Sequence, residues 1–175
     1  MSQAGKQKYN RPVIGITLGD INGIGAEVII KVLNDPRILN LITPVIYGSV
    51  KVLSYYRKML EADDFNFGQI KDISQINHKR INVINCWNEM VEINPGTADP
   101  ELGKYAFTAL KEAVADLKED KIDALVTGPI NKGLIQSEEF TFPGHTEYLA
   151  SEIGKKGKSL MMMVSETMRI GVVTG

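Results

Sequence analysis

Thiols are the first thing this sequence lacks: one of its 175 residues is cysteine, which excludes an intrachain disulfide and a thiolate metal cluster and fits a reducing cytosol. That residue, Cys86, reads as a small buried hydrophobe. Histidine is nearly as scarce, with two in the chain. A metal needs about three ligands in reach, and one well-placed imidazole plus carboxylates does not make a convincing set, so no metal site is expected within these residues. Neither sign of charge dominates, with Lys+Arg 20 against Asp+Glu 21 and a formal charge of −1, and no basic block occurs. A nucleic-acid footprint and a membrane-surface patch are therefore not expected. No apolar run reaches the roughly 18–20 residues of a membrane span, and Met1 to Asn10 is too polar for a signal peptide. There is no internal repeat and no low-complexity segment. These absences leave a soluble, cytoplasmic protein as the expectation.

What is present suffices for a core. With 43% hydrophobic residues, the chain can build one ordinary domain, or one domain plus part of another. Val13 to Leu18 is a short, nearly continuous apolar run, as in a strand covered on both faces of a parallel sheet. It ends in Gly19-Asp20-Ile21-Asn22-Gly23-Ile24-Gly25, and the segment Ala26 to Leu33 has helical character until Asn34-Asp35-Pro36 stops it. A second unit follows: strand Thr43 to Tyr47, then a helix Val50 to Glu61 with Ser49 as N-cap. Two weaker strand signals lie at Gln69 to Ile73 and Ile81 to Cys86, and Trp87 reads as a packing anchor. His78, beside Lys79-Arg80, reads as a solvated loop residue. Asp99-Pro100 opens a long helix. Its stripe of Leu102, Tyr105, Ala106, Ala109, Leu110, Ala113, Val114 and Leu117 faces a core, while Lys111, Glu112, Lys118 and Glu119 face water. The next strand, Ile122 to Val126, completes a helix-then-strand order that favours a parallel, right-handed arrangement. Beyond it, Thr146 to Ile153 has helical spacing and stops at Gly154. Lys155 to Lys158 reads as a solvated basic turn, Ser159 to Val164 as a buried strand, and Arg169 to Gly175 as a last strand.

The richest stretch for chemistry is Asp123 to Tyr148, DALVTGPINKGLIQSEEFTFPGHTEY. A strand exit in an α/β protein is where ligands bind, and here it offers turn N–H groups, Asn131, Lys132 and the trio His145-Thr146-Glu147. Together they suit an anionic, hydroxyl-bearing small molecule. Pro143-Gly144 sets His145 on a turn among polar neighbours, which favours a binding role over a core one. Lys132 either pairs a phosphate or carboxylate or extends to solvent. Asp20 either accepts a hydrogen bond from a ligand or is a plain turn residue. The glycine spacing G-x-x-x-G-x-G matches neither the dinucleotide fingerprint nor the phosphate loop, and no G-x-S-x-G elbow is present.

Three segments, GITLGDINGIGAEVIIK, LVTGPINK and FPGHTEYLA, occur in the order and spacing of the 4-hydroxythreonine-4-phosphate dehydrogenase family of vitamin B6 biosynthesis, which the chain resembles from about Arg11 onward. The resemblance implies an α/β fold, related to isocitrate and isopropylmalate dehydrogenases, with parallel or mixed sheets flanked by helices. It implies a homodimer of two-domain subunits with the site in the cleft between domains. It further implies oxidation of 4-phosphooxy-L-threonine with NAD or NADP and loss of the carboxylate to give 3-amino-2-oxopropyl phosphate. The family's substrate-binding pair falls on His145 and Thr146, with Asp20, Asn131 and Lys132 as possible cleft-lining residues.

The family's divalent metal, zinc, magnesium or cobalt, is held by three histidines of which the first is expected just past Gly175. Later substrate-binding lysine, asparagine and arginine residues are also missing. On this resemblance the chain is a truncated, N-terminal half, with a first, incomplete α/β domain at 11–140 and the start of a second at 141–175. As given it should lack metal and activity. Two other readings stand beside this one. A related dehydrogenase would act on threonate or erythronate 4-phosphate, and a noncatalytic ligand-binding α/β module would also suit this length. An acyl-phosphate transferase of similar fold is a weaker third.

Overall fold

The computed structural model describes residues 11–137, 139–154 and 159–172. The basic turn expected at 155–158, the end of the last strand and the first ten residues lie outside them. The chain divides into two compact units, Met1–Thr141 and Phe142–Gly175.

The first unit is built on short apolar runs that alternate with amphipathic helices. Strand β1 (Val13–Thr17) leads through the glycine turn into helix α1 (Gly25–Leu33), and a short helix α2 (Ile38–Leu41) precedes β2 (Thr43–Gly48). Ser49 caps α3 (Val50–Met59), its side chain accepting from the Lys51 N–H. Strands β3 (Phe67–Ile70) and β4 (Ile81–Asn85) follow, and a long loop then reaches Asp99, whose carboxylate caps a short 3-10 turn at Pro100–Leu102. That turn runs into α4 (Gly103–Lys118), and β5 (Ala124–Thr127) closes the sheet. All five strands are parallel, in the order β3-β4-β2-β1-β5. Every residue of the central strand β2 is buried, as its uninterrupted apolar run requires. The expected α/β class with a parallel sheet is what the chain adopts.

Helix α1 packs on α3, whereas α4 lies against β1, β2 and β5. Right-handed crossovers explain this: β1 to β2 moves one way along the sheet and β4 to β5 moves the other, so their helices fall on opposite faces. The inner side of α4 is not wholly apolar. The Tyr47 hydroxyl donates to Asp116 at 2.8 Å. Glu112, expected to face water, is instead half-buried beside Cys86, and its hydrogen bond with the thiol belongs to the packing of α4 on the sheet. Burial drives the Cys86 thiol well above its ordinary range, with the Glu112 carboxylate adding to the effect. Burial likewise raises the Glu112 pKa, a shift the Cys86 hydrogen bond opposes and the nearby Asp116 charge reinforces. The sequence pattern also missed Phe107, which packs edge-on against Phe140 at 5.2 Å and ties the loop after β5 to α4. His78 is not simply solvated: its Nδ1 lies 3.1 Å from the Thr43 hydroxyl at the start of β2.

The second unit contains α5 (His145–Ile153) and an antiparallel hairpin of β6 (Met161–Val164) and β7 (Arg169–Val172). The methionine strand was expected to be buried. It is exposed, Met163 by 60%, because the two-stranded hairpin meets no covering layer among the described residues. Strand β5 is likewise half open, with Val126 53% exposed, since among the described residues only β1 pairs with it. No helix among the described residues is long and apolar enough to cross a membrane.

Two stability measurements follow from this packing. A Cβ on Gly128 would lie 2.4 Å from the Thr17 carbonyl oxygen and 2.6 Å from that of Leu18, so Gly128→Ala must move backbone. On Gly133 the nearest atom is 3.5 Å away, which is ordinary contact. Chemical denaturation should show Gly128→Ala losing about 3 kcal/mol or more and Gly133→Ala less than about 1 kcal/mol. For Glu112 the folded form holds its proton to higher pH than the unfolded one, so stability falls as pH rises through the window above the ordinary 4.5. Thermal melts of Glu112→Gln should therefore match wild type at low pH, gain on it as pH rises through that window, and keep a constant advantage above it. A difference that is the same at every pH would contradict the burial account.

Candidate functional site

The first candidate patch follows from the topology. Crossovers leave β1 toward β2 on one side, while β5 arrives on the other, so the carboxyl ends of β1 and β5 flank a topological switch point. Two turns meet there. Gly19 has φ +74, and a Cβ on it would fall 2.2 Å from the Pro129 carbonyl oxygen, so only glycine allows this approach. The Asp20 N–H donates to that oxygen at 2.9 Å, and the Gly128 N–H is shared between the Thr17 carbonyl at 3.0 Å and the Thr17 hydroxyl at 3.1 Å. Gly25, the first residue of α1, sits where a Cβ would be 2.1 Å from the Leu18 carbonyl oxygen. These glycines serve backbone packing and leave no open cradle for a dinucleotide pyrophosphate.

Asp20 and Asn131 come together here. With Gly103, Ala106, Leu134 and Ile135 they line a pocket of about 10 Å³, room for one water. Each also holds its own turn: Asp20 Oδ1 accepts from the Asn22 N–H at 3.1 Å, and Asn131 Oδ1 accepts from the Gly133 N–H at 3.0 Å. The turn role considered for Asp20 is thus real, and its second oxygen remains unpaired among the described residues. Lys132, next in the turn, is exposed and forms no ion pair among the described residues.

The second patch is the start of α5. Gly144 occupies the N-cap in extended conformation and offers no side chain, so the N–H groups of His145, Thr146 and Glu147 have no side-chain cap. Phe142 packs edge-on to Tyr148 at 5.4 Å and holds the entry to the helix as a hydrophobic staple does. His145 is half-buried, and its ring nitrogens have no hydrogen-bond partner among the described residues. Burial lowers its pKa, and the positive end of the helix dipole acts in the same direction, so a neutral imidazole faces whatever binds here. The Thr146 side chain is exposed and borders a pocket of about 310 Å³ with Leu149, Ile153 and Leu160. Free N–H groups, a hydroxyl and a neutral imidazole can together donate to an anionic or hydroxylated ligand.

Among the described residues no three His, Cys, Asp or Glu side chains converge, so these residues do not by themselves hold a metal ion. The sequence reading missed Asn22, a buried amide whose only signal was its place inside the glycine turn.

Crevices at a switch point of a doubly wound parallel sheet are where α/β proteins bind small ligands, and a doubly wound α/β protein is the class to which this fold assigns the chain. The chain belongs to the family described as pyridoxal phosphate biosynthetic protein PdxA, whose model matches residues 40–175. A 4-hydroxythreonine-4-phosphate dehydrogenase of Bacteroides thetaiotaomicron is 47% identical over 165 residues, covering 94% of this chain and 45% of the relative. A relative from Halalkalibacterium halodurans, with D-threonate 4-phosphate dehydrogenase in its name, is 33% identical, covering 94% of this chain and 49% of its own length (its likeness is weaker). The crystal structure of a 4-hydroxythreonine-4-phosphate dehydrogenase from Burkholderia phymatum superimposes with a TM-score of 0.83 at 31% identity, covering 94% of this chain and 50% of that one. The chain thus spans about half the length of the relatives it matches.

The state of His145 is directly measurable, because the chain has only two histidines and a His145→Gln variant assigns its resonance. Its ring should titrate below the ordinary 6.5. In that window the folded state binds fewer protons than the unfolded state, so stability falls as pH drops from 6.5 toward the lowered value. Titration by NMR at or above 6.5 would contradict the burial argument.

Proposed function

We propose that the full-length protein is an NAD- or NADP-dependent, metal-requiring dehydrogenase. It oxidises 4-phosphooxy-L-threonine, and the product loses its carboxylate to give 3-amino-2-oxopropyl phosphate, in vitamin B6 biosynthesis. The observation that carries this reading is the uncapped start of α5, where a half-buried His145, without a hydrogen-bond partner among the described residues, stands beside the Thr146 hydroxyl. The 47% identity to a relative named for this activity supports it.

In this reading His145 and Thr146 bind the substrate's polar groups, and the neutral imidazole is a hydrogen-bond partner that imposes no fixed charge. Asp20, Asn131 and Lys132 are ligand-facing groups at the strand exits. NAD or NADP would accept the hydride, and a divalent ion, zinc, magnesium or cobalt, would polarise the reacting oxygen. The described residues form neither a metal cage nor a dinucleotide loop, so no step is assigned to those groups through them. The working protein is a homodimer, acting on a small phosphorylated hydroxy amino acid.

A second reading, a dehydrogenase of D-threonate 4-phosphate, draws on the name of the 33% identical relative. The two substrates differ at C2, ammonium in one and hydroxyl in the other. A panel of both with the full-length protein decides between them by kcat/KM.

Removing one partner of a desolvated polar contact costs about 1–3 kcal/mol, so His145→Ala should lower kcat/KM for the preferred substrate about 5- to 150-fold. Steady-state kinetics checks this, and wild-type constants in the variant would overturn the assignment of His145.

A further inference from the structure

Asn22 is polar, yet it is only 3% exposed. It lies in the turn between β1 and α1, two residues after Asp20, and its side-chain oxygen, side-chain nitrogen and main-chain carbonyl all bond across long sequence distances. Its side-chain oxygen accepts from the Asn94 N–H at 2.9 Å, and its side-chain nitrogen donates to the Thr97 carbonyl at 3.1 Å. Its main-chain carbonyl accepts from the Gly96 N–H at 2.7 Å. One residue therefore grips both ends and the middle of the Asn94–Thr97 turn, which closes on itself through Thr97 N–H to Asn94 O at 3.0 Å. The backbone N–H of Asn22 meanwhile donates to Asp20 Oδ1 at 3.1 Å.

The gripped turn has a consequence further along the chain. From Thr97 the backbone runs two residues to the Asp99 cap and then into Gly103, the first residue of α4. Gly103 is packed so closely that a Cβ would lie 1.8 Å from the Leu134 carbonyl oxygen. Gly103 and Leu134 both line the crevice that holds Asp20 and Asn131. The Asn22 clamp thus sits between the carboxylate on one side of the crevice and the segment that delivers the opposite wall.

We infer that Asn22 is a positioning residue: it locks the Asn94–Thr97 turn to the Asp20 turn, and so fixes the Asp20 carboxylate and the wall behind it at the exits of β1 and β5, where a polar ligand would be met. A buried amide with both side-chain functions matched fixes geometry at little entropic cost, because the short side chain has few rotamers to lose. Losing it leaves the Asn94 N–H and the Thr97 carbonyl without partners and loosens the Asn94–Thr97 end of the loop, whose start is held separately by Lys51 and Asn85. This inference rests on the proposed dehydrogenase reading for its kinetic consequence, and on the hydrogen bonds alone for its structural one.

The test uses the full-length protein with Asn22→Ala and Asn22→Asp, the second of which keeps the acceptor for Asn94 and loses the donor to Thr97. A glutamate-specific protease reports the loop through cleavage after Glu89 and Glu92. Cleavage under native conditions should accelerate about tenfold in Asn22→Ala and at least as much in Asn22→Asp, whose carboxylate meets the Thr97 carbonyl, and KM for the phosphorylated substrate should rise about tenfold with kcat changed less than about threefold. If Asn22→Ala does not fold, Gly96→Ala serves instead. It introduces a side chain at φ +82 with no atom within 4 Å and strains the same turn from the other side. Unchanged cleavage would overturn the clamp, and faster cleavage with unchanged KM would reduce Asn22 to a structural residue. If wild-type protein oxidises neither phosphorylated substrate, the dehydrogenase reading fails by itself, while the cleavage rates still decide the clamp.

Discussion

The structure depends on one seam, where the backbone leaving β1 lies directly on the backbone leaving β5. Gly19, Gly25 and Gly128 make it possible, since each sits where a Cβ would come within 2.4 Å of a carbonyl oxygen. Two main-chain hydrogen bonds, Asp20 N–H to Pro129 O and Gly128 N–H to Thr17 O, close it. Side chains add little here. The seam brings the Asp20 turn and the Asn131 turn into one crevice, and it starts α1 hard against the end of its own strand. The glycine spacing in the first turn, which fits no nucleotide-binding fingerprint, is accounted for by these contacts without any ligand.

Around the seam the chain uses polar groups in two ways. Inside the first unit several are paired, Tyr47 with Asp116, Asn22 with the Asn94–Thr97 turn, Asn82 with three carbonyls of its surroundings, while the buried Trp87 Nε1 has no partner among the described residues. At the start of α5 they are left open, with an uncapped helix end and an imidazole without a partner among the described residues. Buried polar groups are normally satisfied, and it is on a half-buried histidine without a partner among the described residues that the proposed substrate-binding role rests. Membership of the PdxA family gives that opening a chemical context.

Much of this was legible in the residues. The apolar runs at Val13, Thr43 and Ile81 gave strands, Ser49 and Asp99 gave caps, and the 3.6-residue stripe gave α4, because each rests on local periodicity or local hydrogen bonding. The burial of Met161 to Met163 was misjudged because apolar composition says a strand wants a partner and does not say that one is present. Glu112 was misjudged because its neighbour on the sheet, Cys86, is 26 residues away and invisible to helical spacing. Of the site, His145 and Asp20 stood out by residue type at a turn. Asn22 did not, since its partners lie in a loop with no pattern of its own.

The most direct test of the seam is native-state hydrogen exchange at the amides of Asp20 and Gly128. If backbone packing at the strand exits is what fixes the ligand-facing turns, both should exchange only with global unfolding, as slowly as the buried amides of β2. Exchange through low-energy local opening, with the interior of the sheet still protected, would show that the two exits are not locked together and would remove the basis for the crevice.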